Sequence, residues 1–152
     1  MRSIYTFLLT GFGAGWLPLA PGTWGAAAAL VPAWLLALWM PAYFEPVLLV
    51  LIAGGTWIGA RGSAFMAAEW GGDPSQTVLD EIVGMWIAIL FVPATWPWWL
   101  TAFLLFRLFD IFKPFGIRRL ESVPNGWGVM LDDVLAGIYS NIILQVALLI
   151  WL

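Results

Sequence analysis

Five acidic residues lie at three places along a chain that has few charged residues. Asp80 and Glu81 are adjacent, Asp110 stands alone, and Asp132 and Asp133 form a second adjacent pair. Charged residues make up only 10% of the 152 residues, so acids in such an apolar setting need an ion pair or a bound cation. Carboxylate oxygens favour Mg²⁺, ahead of Mn²⁺ or Ca²⁺. The pattern predicts a shared divalent-cation site with Mg²⁺ as its cofactor.

The two adjacent pairs supply the predicted metal ligands, which are Asp80, Glu81, Asp132 and Asp133. Neighbouring residues on a helix point about 100° apart, so we expect each pair to provide one inward ligand and one residue with another task. A purely structural role stays open for single acids, because Asp133 can cap a helix and Asp110 can pair with a neighbouring base. Three such clusters in one chain argue against that role for all of them.

Basic and helix-starting residues near the acids suit a phosphate. Arg107 and Lys113 lie three residues before and three after Asp110, which places all three on a slanted stripe along one side of a helix. Arginine can bind phosphate oxygens through a bidentate fork and lysine as a point charge. Gly22 and Thr23 stand where a helix begins, and the free amides of a helix start attract anions. These four residues are the predicted substrate-binding group.

Two residue types that serve many enzymes are missing, because the chain has no cysteine and no histidine. Disulfides, thiolate nucleophiles, zinc sites built from Cys and His, and imidazole catalysis are therefore excluded. A net charge of -3 with only six Lys+Arg leaves no basic patch for nucleic acid. Catalysis must come from carboxylates, lysine, arginine, hydroxyls or a metal.

The composition indicates that lipid replaces water around much of the surface. Hydrophobic residues make up 62% of the chain, which includes 12 Trp, and the mean hydropathy is +0.93. Such a chain has too few polar side chains to cover a water-facing surface. We predict an all-α fold, a polytopic integral membrane helical bundle in which residues 1–152 form a single membrane-embedded domain.

Long apolar stretches predict about five membrane helices after a short N-terminal helix. The stretches cover residues 24–40, 47–60, 74–92, 100–112 and 134–152. Prolines in the segment 93–99 join two of these helices as a proline-broken hairpin, and Pro32 should bend the first helix. The polar stretches between the helices, 61–76 and 114–132, are predicted loops.

Capping residues predict where three of these helices begin. Thr23 would cap the first helix and Asp133 the last. Asp73 at the cap position, followed by Pro74 at the first helical position, would start the third helix. Asp80 and Glu81 would then lie inside that helix, near its start.

The basic residues predict the orientation in the membrane. Those after Arg2 all fall in or beside the two polar loops, and they are Arg61, Arg107, Lys113, Arg118 and Arg119. The opposite turns, 41–46 and 93–99, contain none. By the positive-inside rule the charged side faces the cytoplasm and the C-terminus lies outside. The predicted chemistry therefore belongs to the cytoplasmic face.

Four ordered segments resemble a known membrane family. GFGAGWLPLAPGTWG, TVLDEIVGMWI, FRLFDIFKPFGIRRLE and NGWGVMLDDVLAG closely resemble the corresponding motifs of phosphatidylglycerophosphatase A. The resemblance covers residues 11–137, nearly the whole chain. Two places differ, because Gly116 stands where the family usually has a second proline, and Asn125-Gly126 stand where it usually has two glycines.

The resemblance implies a Mg²⁺-dependent hydrolase of the bacterial cytoplasmic (inner) membrane. Such an enzyme removes the phosphomonoester of phosphatidylglycerophosphate to give phosphatidylglycerol in phospholipid biosynthesis. By motif match, the resemblance gives Arg107 and Lys113 as basic partners of the family's acidic positions. Those positions match Asp80, Glu81, Asp110, Asp132 and Asp133 here.

The residues point to the same reaction class without the family. A phosphatase that has no Cys or His cannot form a phosphocysteine or phosphohistidine intermediate, so metal-assisted attack is left. One acid from each pair would hold Mg²⁺, while Arg107 and Lys113 bind the phosphate. A carboxylate such as Asp110 would either activate water or attack phosphorus itself, and the sequence leaves both routes open.

Two readings from other classes compete with the enzyme. A small transporter or ion-conducting protein would use membrane acids and bases as a proton or cation relay, but it would spread them through the membrane depth. A structural subunit would use ion pairs only to lock helices together and would show no turnover.

The oligomeric state is open, because the small residues Gly55 and Gly59 can serve contacts within or between chains.

Overall fold

The computed structural model describes residues 1–72 and 74–151, and this part of the chain is helical without strands. The predicted all-α class is confirmed. Short 3₁₀ turns at Ala14–Trp16 and Pro41–Tyr43 precede two of the helices. In chain order the helices are α1 (Arg2–Leu9), α2 (Pro21–Trp39), α3 (Phe44–Trp70), α4 (Leu79–Ile89), α5 (Trp96–Phe112), α6 (Ile117–Leu120) and α7 (Trp127–Trp151).

Three helices within the described residues are long and apolar enough to cross a membrane. They are α2, α3 together with the turn before it (Pro41–Trp70), and α7. The α4 helix has 11 residues, about 16 Å at 1.5 Å per residue, which is too short to cross a hydrocarbon core of about 30 Å. It forms the predicted hairpin with the 17-residue α5. The prediction of about five membrane helices is therefore only approximate.

The short α4 helix is the centre of the bundle, and α2, α3, α5 and α7 pack around it. Its side chains Val83, Met85 and Ala88 are fully buried. The last carbonyl groups of a helix have no partner within the helix and must bond elsewhere. Asn141 of α7 donates hydrogen bonds to the carbonyl oxygens of Ala88 (3.2 Å) and Leu90 (2.7 Å). This pair of bonds fixes α4 against α7.

The α3 helix extends through more than half of a segment that was predicted to be a loop. Residues 61–70 are helical, so the loop prediction for 61–76 is wrong over that part. The segment is rich in good helix formers and gains packing from α1. The rings of Tyr5 and Phe65 lie 5.3 Å apart, and Arg2 forms an ion pair with Glu69. Tertiary contacts with α1 stabilise helix where polarity alone indicated a loop.

The start of α4 lies later than predicted, at Leu79 rather than Pro74. Residues 74–78 form a turn, and the Val78 N–H donates to the carbonyl oxygen of Leu9 at 2.8 Å. That bond ties the segment to the end of α1 instead of continuing a helix backwards. The predicted cap, Asp73, lies outside the described residues.

The predictions that Thr23 and Asp133 are helix caps are wrong. The N-cap of α2 is Ala20, and Thr23 lies in the first turn without a side-chain capping bond in this part of the chain. Proline is favoured at the first helical position, so Pro21 starts the helix early. The α7 helix begins at Trp127, which places Asp133 within the helix, where its residue is 2% exposed. Neither Thr23 nor Asp133 is available to cap.

A left-handed turn starts α7 and explains one difference from the family pattern. Asn125 has φ +62° and Gly126 has φ +77°. Asparagine tolerates this region better than most residues, so Asn125 can stand where the family usually has glycine. At position 126 only glycine fits, because a Cβ there would overlap the carbonyl oxygen of Ala60.

Gly55 and Gly59 serve contacts within the chain. A Cβ on Gly55 would lie 2.8 Å from Cγ2 of Val83 in α4, and one on Gly59 would overlap Sδ of Met130 in α7. Both glycines therefore let α3 approach the helices that carry the acid pairs.

Candidate active site

One cavity of about 370 Å³ gathers nearly every residue that the sequence singled out for chemistry. It lies where α2, α4 and α7 begin and where α5 ends. Its lining includes all five candidate acids, both candidate bases and Gly22: Asp80, Glu81, Asp110, Asp132, Asp133, Arg107 and Lys113. Thr23, the ninth predicted residue, is half-buried but does not line this cavity among the described residues.

Two glycines bring the acid-bearing helices together. Gly84 lies four residues after Asp80, and Gly137 lies four residues after Asp133, so each glycine is one turn further along the same helix face as its acid. A Cβ on Gly137 would overlap the carbonyl oxygen of Gly84, and one on Gly84 would lie 2.7 Å from the carbonyl oxygen of Asp133. The backbones of α4 and α7 are therefore in direct contact just beneath the carboxylates.

Three carboxylates form a compact group that can hold a metal ion. One oxygen from each of Asp80, Glu81 and Asp133 lies within 4.8 Å of the other two. Within the described part of the chain, Asp80 Oδ1, Glu81 Oε2 and Asp133 Oδ1 are buried without a hydrogen-bond partner. Unpartnered buried oxygens are costly, and a cation bound between them would satisfy them.

The distances within this acid triad suit a divalent cation of the Mg²⁺ or Ca²⁺ size. Mg²⁺ binds oxygen at about 2.1 Å, so opposite ligands are about 4.2 Å apart, and Ca²⁺ at about 2.5 Å separates them by about 5 Å. The observed limit of 4.8 Å falls between these two values. The donor set is entirely carboxylate oxygen, as both hard cations prefer. The residues therefore fit such an ion, while its identity is not shown.

The fourth acid of the two pairs has a different partner. Asp132 Oδ2 accepts a hydrogen bond from Lys113 Nζ at 2.6 Å, and Glu121 Oε1 accepts a second from the same nitrogen at 2.5 Å. Lys113 is the C-cap of α5 and has φ +48°. Burial alone would lower the pKa of Lys113, but the hydrogen bonds to Asp132 and Glu121 raise it above its ordinary value. Lys113 therefore stays protonated, and its two bonds among the described residues use two of its three N–H donors.

Arg107 and Asp110 form an ion pair one turn apart at the end of α5. The bond joins Arg107 Nη1 to Asp110 Oδ2, and both side chains are mostly buried. Among the described residues Arg107 Nε is buried without a hydrogen-bond partner. A Cβ on Gly22 would overlap Glu81 Oε1 and lie 3.0 Å from Arg107 Nη1. Only glycine therefore leaves room here for both side chains.

The balance of charge in the cavity favours a cation. Among the described residues that line the cavity, five carboxylates face two basic side chains, an excess of three negative charges when all of these groups are ionised. The pKa of Asp80 is raised well above its ordinary value, first because burial removes water and then because Glu81 and Asp133 add negative charge. A phosphate dianion could enter this cavity only if cations offset the repulsion.

The two acid pairs differ in how many of their members belong to the triad, and one inward metal ligand from each pair stays a prediction. In the second pair Asp133 joins the triad while Asp132 binds Lys113. In the first pair both Asp80 and Glu81 join it. Glu81 points about 100° away from Asp80 around the helix, but its longer side chain can still reach the triad.

Some residues of the site were missed by the sequence interpretation. Thr77 lines the cavity, and its hydroxyl is buried without a partner among the described residues. Glu121 holds Lys113, and Gly84 and Gly137 set the spacing of the acids. A signal existed for the glycines, since each lies four residues after an acid. Thr77 and Glu121 give no such signal, because their roles depend on how the loops pack.

A second cavity of about 530 Å³ lies beside the first, between α3 and the loop that precedes α7. Asp132 lines both cavities, and the second also contains Glu121 and Asn125. Its walls are polar on the side of the Lys113 ion pairs. The two cavities therefore flank the bonded pair Lys113 and Asp132.

Comparison with known proteins places the chain in a family. The family model of phosphatidylglycerophosphatase A matches residues 7–148. A protein of Bacteroides thetaiotaomicron, provisionally named a phosphatidylinositol-3-phosphatase, is 46% identical over 151 residues, which cover 91% of this chain and 89% of that protein.

Two further relatives are named phosphatidylglycerophosphatase A. The protein of Haemophilus influenzae is 40% identical, with 90% of this chain and 83% of the relative covered. The protein of Escherichia coli is 36% identical, with 92% and 81% covered. No solved structure matches the chain significantly. With a family model that spans almost every residue and relatives that align over most of their length, the chain belongs to the phosphatidylglycerophosphatase A family.

Proposed function

We propose that this chain, as one membrane-embedded domain over residues 1–152, hydrolyses phosphatidylglycerophosphate to phosphatidylglycerol and inorganic phosphate with Mg²⁺ as its cofactor. The reaction would take place at the cytoplasmic face of a bacterial inner membrane, as a step of phospholipid biosynthesis. The observation that carries the proposal is the gathering of five acids and two bases around one cavity. The family and the names of two relatives support the substrate.

The proposed metal ligands are Asp80, Glu81 and Asp133, with Asp132 as the residue that positions Lys113. When bound, Mg²⁺ would polarise a phosphoryl oxygen and offset the charge that develops on the phosphate. Arg107 Nε and the third N–H of Lys113 would bind the remaining phosphate oxygens, since both donors are free of the bonds described above. Gly22 has no side chain, so Glu81 and Arg107 can both approach its backbone at the edge of the cavity.

Asp110 is the proposed base or nucleophile. In the first route it accepts a proton from water, the water oxygen bonds to phosphorus, and the ester bond from phosphorus to the glycerol oxygen breaks. In the second route the Asp110 carboxylate bonds to phosphorus as the ester bond from phosphorus to the glycerol oxygen breaks. Water then bonds to phosphorus, the bond to Asp110 breaks, and phosphate and the free carboxylate are released. The glycerol oxygen leaves as an alcohol with a proton from protonated Asp110 in the first route and from water in the second. The ion pair with Arg107 orients Asp110 for either role.

Phosphate release from purified protein tests the proposal. The protein in detergent is incubated with phosphatidylglycerophosphate, with phosphatidylinositol 3-phosphate and with phosphatidic acid, each with Mg²⁺ or with a chelator. We expect turnover of phosphatidylglycerophosphate with Mg²⁺, at least tenfold less on the other two lipids, and none with the chelator. Faster release from phosphatidylinositol 3-phosphate would transfer the proposal to that substrate, as the name of the Bacteroides relative indicates. Turnover that persists with the chelator would contradict the metal.

The acids themselves are tested by amide substitution. We expect Asp80→Asn, Glu81→Gln and Asp133→Asn each to reduce phosphate release at saturating Mg²⁺ by at least 100-fold, because each removes one of three ligands. Glu69→Gln is the matched control, since Glu69 is a half-exposed acid that pairs with Arg2 and does not belong to the described lining of the cavity. Unchanged turnover in the three variants would remove the proposal.

A further inference from the structure

A long apolar groove lies between α2 and α5 on the outside of the bundle. It has a volume of about 550 Å³, and its walls are side chains of Ala, Leu, Val, Trp and Phe. On α2 the groove follows Ala27, Val31 and Leu35, which repeat every four residues along one face. On α5 it follows Leu100 and Phe103 with the tryptophans before them. Over residues 27–35 the groove is about 12 Å long.

Each of the two helices that wall the groove also carries, closer to its cavity end, a residue that lines the active-site cavity. On α5 the residue one turn beyond Phe103 is Arg107, which lines the cavity. On α2 the residue five positions before Ala27 is Gly22, which also lines the cavity. About 7 Å of α2 separates the end of the groove from Gly22. The glycerol and phosphodiester of a phospholipid headgroup can bridge such a separation, with the terminal phosphate in the cavity.

We propose that the groove between α2 and α5 binds an acyl chain of the lipid substrate and so places its headgroup at the acid triad. This proposal rests on the proposed function, because it needs a diacyl lipid as the substrate. The walls consist of apolar side chains, which cannot satisfy a polar occupant. The groove runs along α2 and α5 toward the residues that would bind the phosphate. The second cavity, beside Asp132, has the carboxylates of Glu121 and Asp132 in its walls and therefore suits an acyl chain less well than the groove does.

The proposed acyl-chain groove gives Thr23 a place in the molecule. Thr23 lies one turn before Ala27 on α2, between the groove and Gly22. It does not line the cavity among the described residues, so its hydroxyl would meet the glycerol or diester part of the lipid rather than the terminal phosphate. Thr23 and the groove would then hold the lipid, while the residues of the cavity act on its terminal phosphate.

A pair of matched substitutions tests the proposed acyl-chain groove. Val31 lines the groove and is 62% exposed, while Val50 is an exposed residue of α3 outside it, at 70%. Val31→Trp would narrow the groove, and Val50→Trp adds the same bulk elsewhere on the apolar surface. The two variants and the unchanged protein are assayed with dioleoyl and with dibutanoyl phosphatidylglycerophosphate, and kcat/KM is compared between these two substrates.

We expect the preference for the dioleoyl over the dibutanoyl substrate to fall at least fivefold in Val31→Trp and to stay within twofold in Val50→Trp. An unchanged preference in Val31→Trp would overturn the groove assignment, as would an equal fall in both variants. If the unchanged protein released no phosphate from either substrate, the proposed function itself would be refuted, and the reason for an acyl chain in the groove would go with it.

Photo-crosslinking gives a second measurement that does not depend on turnover. Phosphatidylglycerophosphate with a diazirine in one acyl chain is irradiated with the protein in detergent, and the adducts are mapped by mass spectrometry. We expect adducts concentrated in residues 27–35 and 96–103 and reduced at least threefold by excess unlabelled lipid. Adducts spread evenly over α3 and α7 as well, without competition, would contradict the proposal.

Discussion

At the scale of single residues, the site is defined by carboxylates that are buried without enough compensating charge. Asp80 and Asp133 are 7% and 2% exposed, and each has an oxygen without a hydrogen-bond partner in the described chain. A protein gains no stability from such an arrangement on its own, because desolvated like charges repel. Such a loss of stability from buried carboxylates is expected where the protein's function requires them to bind a cation.

The first prediction concerns the stability cost of Asp80. Its pKa is raised in the folded protein, so the ionised side chain destabilises the fold at every pH above its ordinary value, and the loss grows until the raised pKa is passed. In the presence of a chelator at neutral pH, Asp80→Asn should therefore raise the Tm, by about 2–4 °C for each kcal/mol recovered. Thermal unfolding followed by intrinsic fluorescence measures this. A lower Tm in Asp80→Asn with the chelator would contradict the account.

The second prediction concerns the pH dependence of metal binding. A cation must displace the protons that the raised pKa of Asp80 keeps bound, so metal affinity should increase as the pH rises toward that pKa and level off above it. We expect the Mg²⁺ concentration for half-maximal phosphate release to be several-fold higher at pH 6 than at pH 8. The measurement is a Mg²⁺ titration of turnover at both values. Equal midpoints would show that no proton competes with the metal.

At the scale of elements, the short helix α4 is held where its N-terminal acids can meet those of α7. The carbonyl of Gly84 touches Gly137 one turn from the acids, and Asn141 binds the last carbonyls of α4 at its other end. Both contacts are between the same two helices. The spacing of the acid triad therefore depends on backbone contact as well as on the acids themselves.

The third prediction tests that contact. Gly137→Ala adds a methyl group that would overlap the Gly84 carbonyl, so α4 and α7 must separate. We expect a loss of about 1–3 kcal/mol in stability and at least tenfold in turnover, since the triad would open. Gly54→Ala is the control, because no other atom of the described residues lies within 4 Å of a Cβ at Gly54 and alanine is the better helix former. Equal turnover in Gly137→Ala and Gly54→Ala would refute the role of the contact.

The elements also show what the sequence can predict and what it cannot. Apolar stretches located the helices α2, α5 and α7 because burial in lipid requires continuous hydrophobicity. Helix ends were missed at Trp70, Leu79 and Trp127. These ends depend on contacts between distant segments, such as Val78 with Leu9, which no local capping pattern reveals.

Within the site, the type of each residue was easier to predict than its partner. The low charge of the chain made five acids and two bases conspicuous, and the structure brings all seven to one cavity. Asp132 binds Lys113 and Asp133 joins the triad because Lys113 stands at the end of α5, close to Asp132. Thr77 and Glu121 were not anticipated, because loop packing alone brings them to the site.

At the scale of the whole molecule, the charged chemistry lies at one end of the bundle. The starts of α2, α4 and α7 meet the end of α5 there, and the opposite end holds Glu45, whose carboxylate accepts the Phe91 N–H at 3.1 Å. A relay that carries ions through the membrane would need polar groups along its whole depth. The asymmetry favours an enzyme that works at one surface of the bilayer.

The fourth prediction follows from this asymmetry and from the positive-inside rule. Because the chain has no cysteine, single substitutions give clean labelling sites. Ser122→Cys marks the end that carries the site, and Ala94→Cys marks the opposite turn; both positions are exposed. In intact spheroplasts, an impermeant maleimide should label Ala94→Cys and should reach Ser122→Cys only after lysis. The reverse pattern would place the site on the outer face.

Direct binding of a metal to the purified protein tests the central claim, that the acid triad holds a divalent cation. Mn²⁺ can stand in for Mg²⁺, and its free concentration is measured by electron paramagnetic resonance without any substrate. We predict saturable binding by the unchanged protein and by Glu69→Gln, with affinity at least tenfold weaker in Asp133→Asn. Equal binding by the unchanged protein and by Asp133→Asn, or no saturable binding by either, would contradict the account.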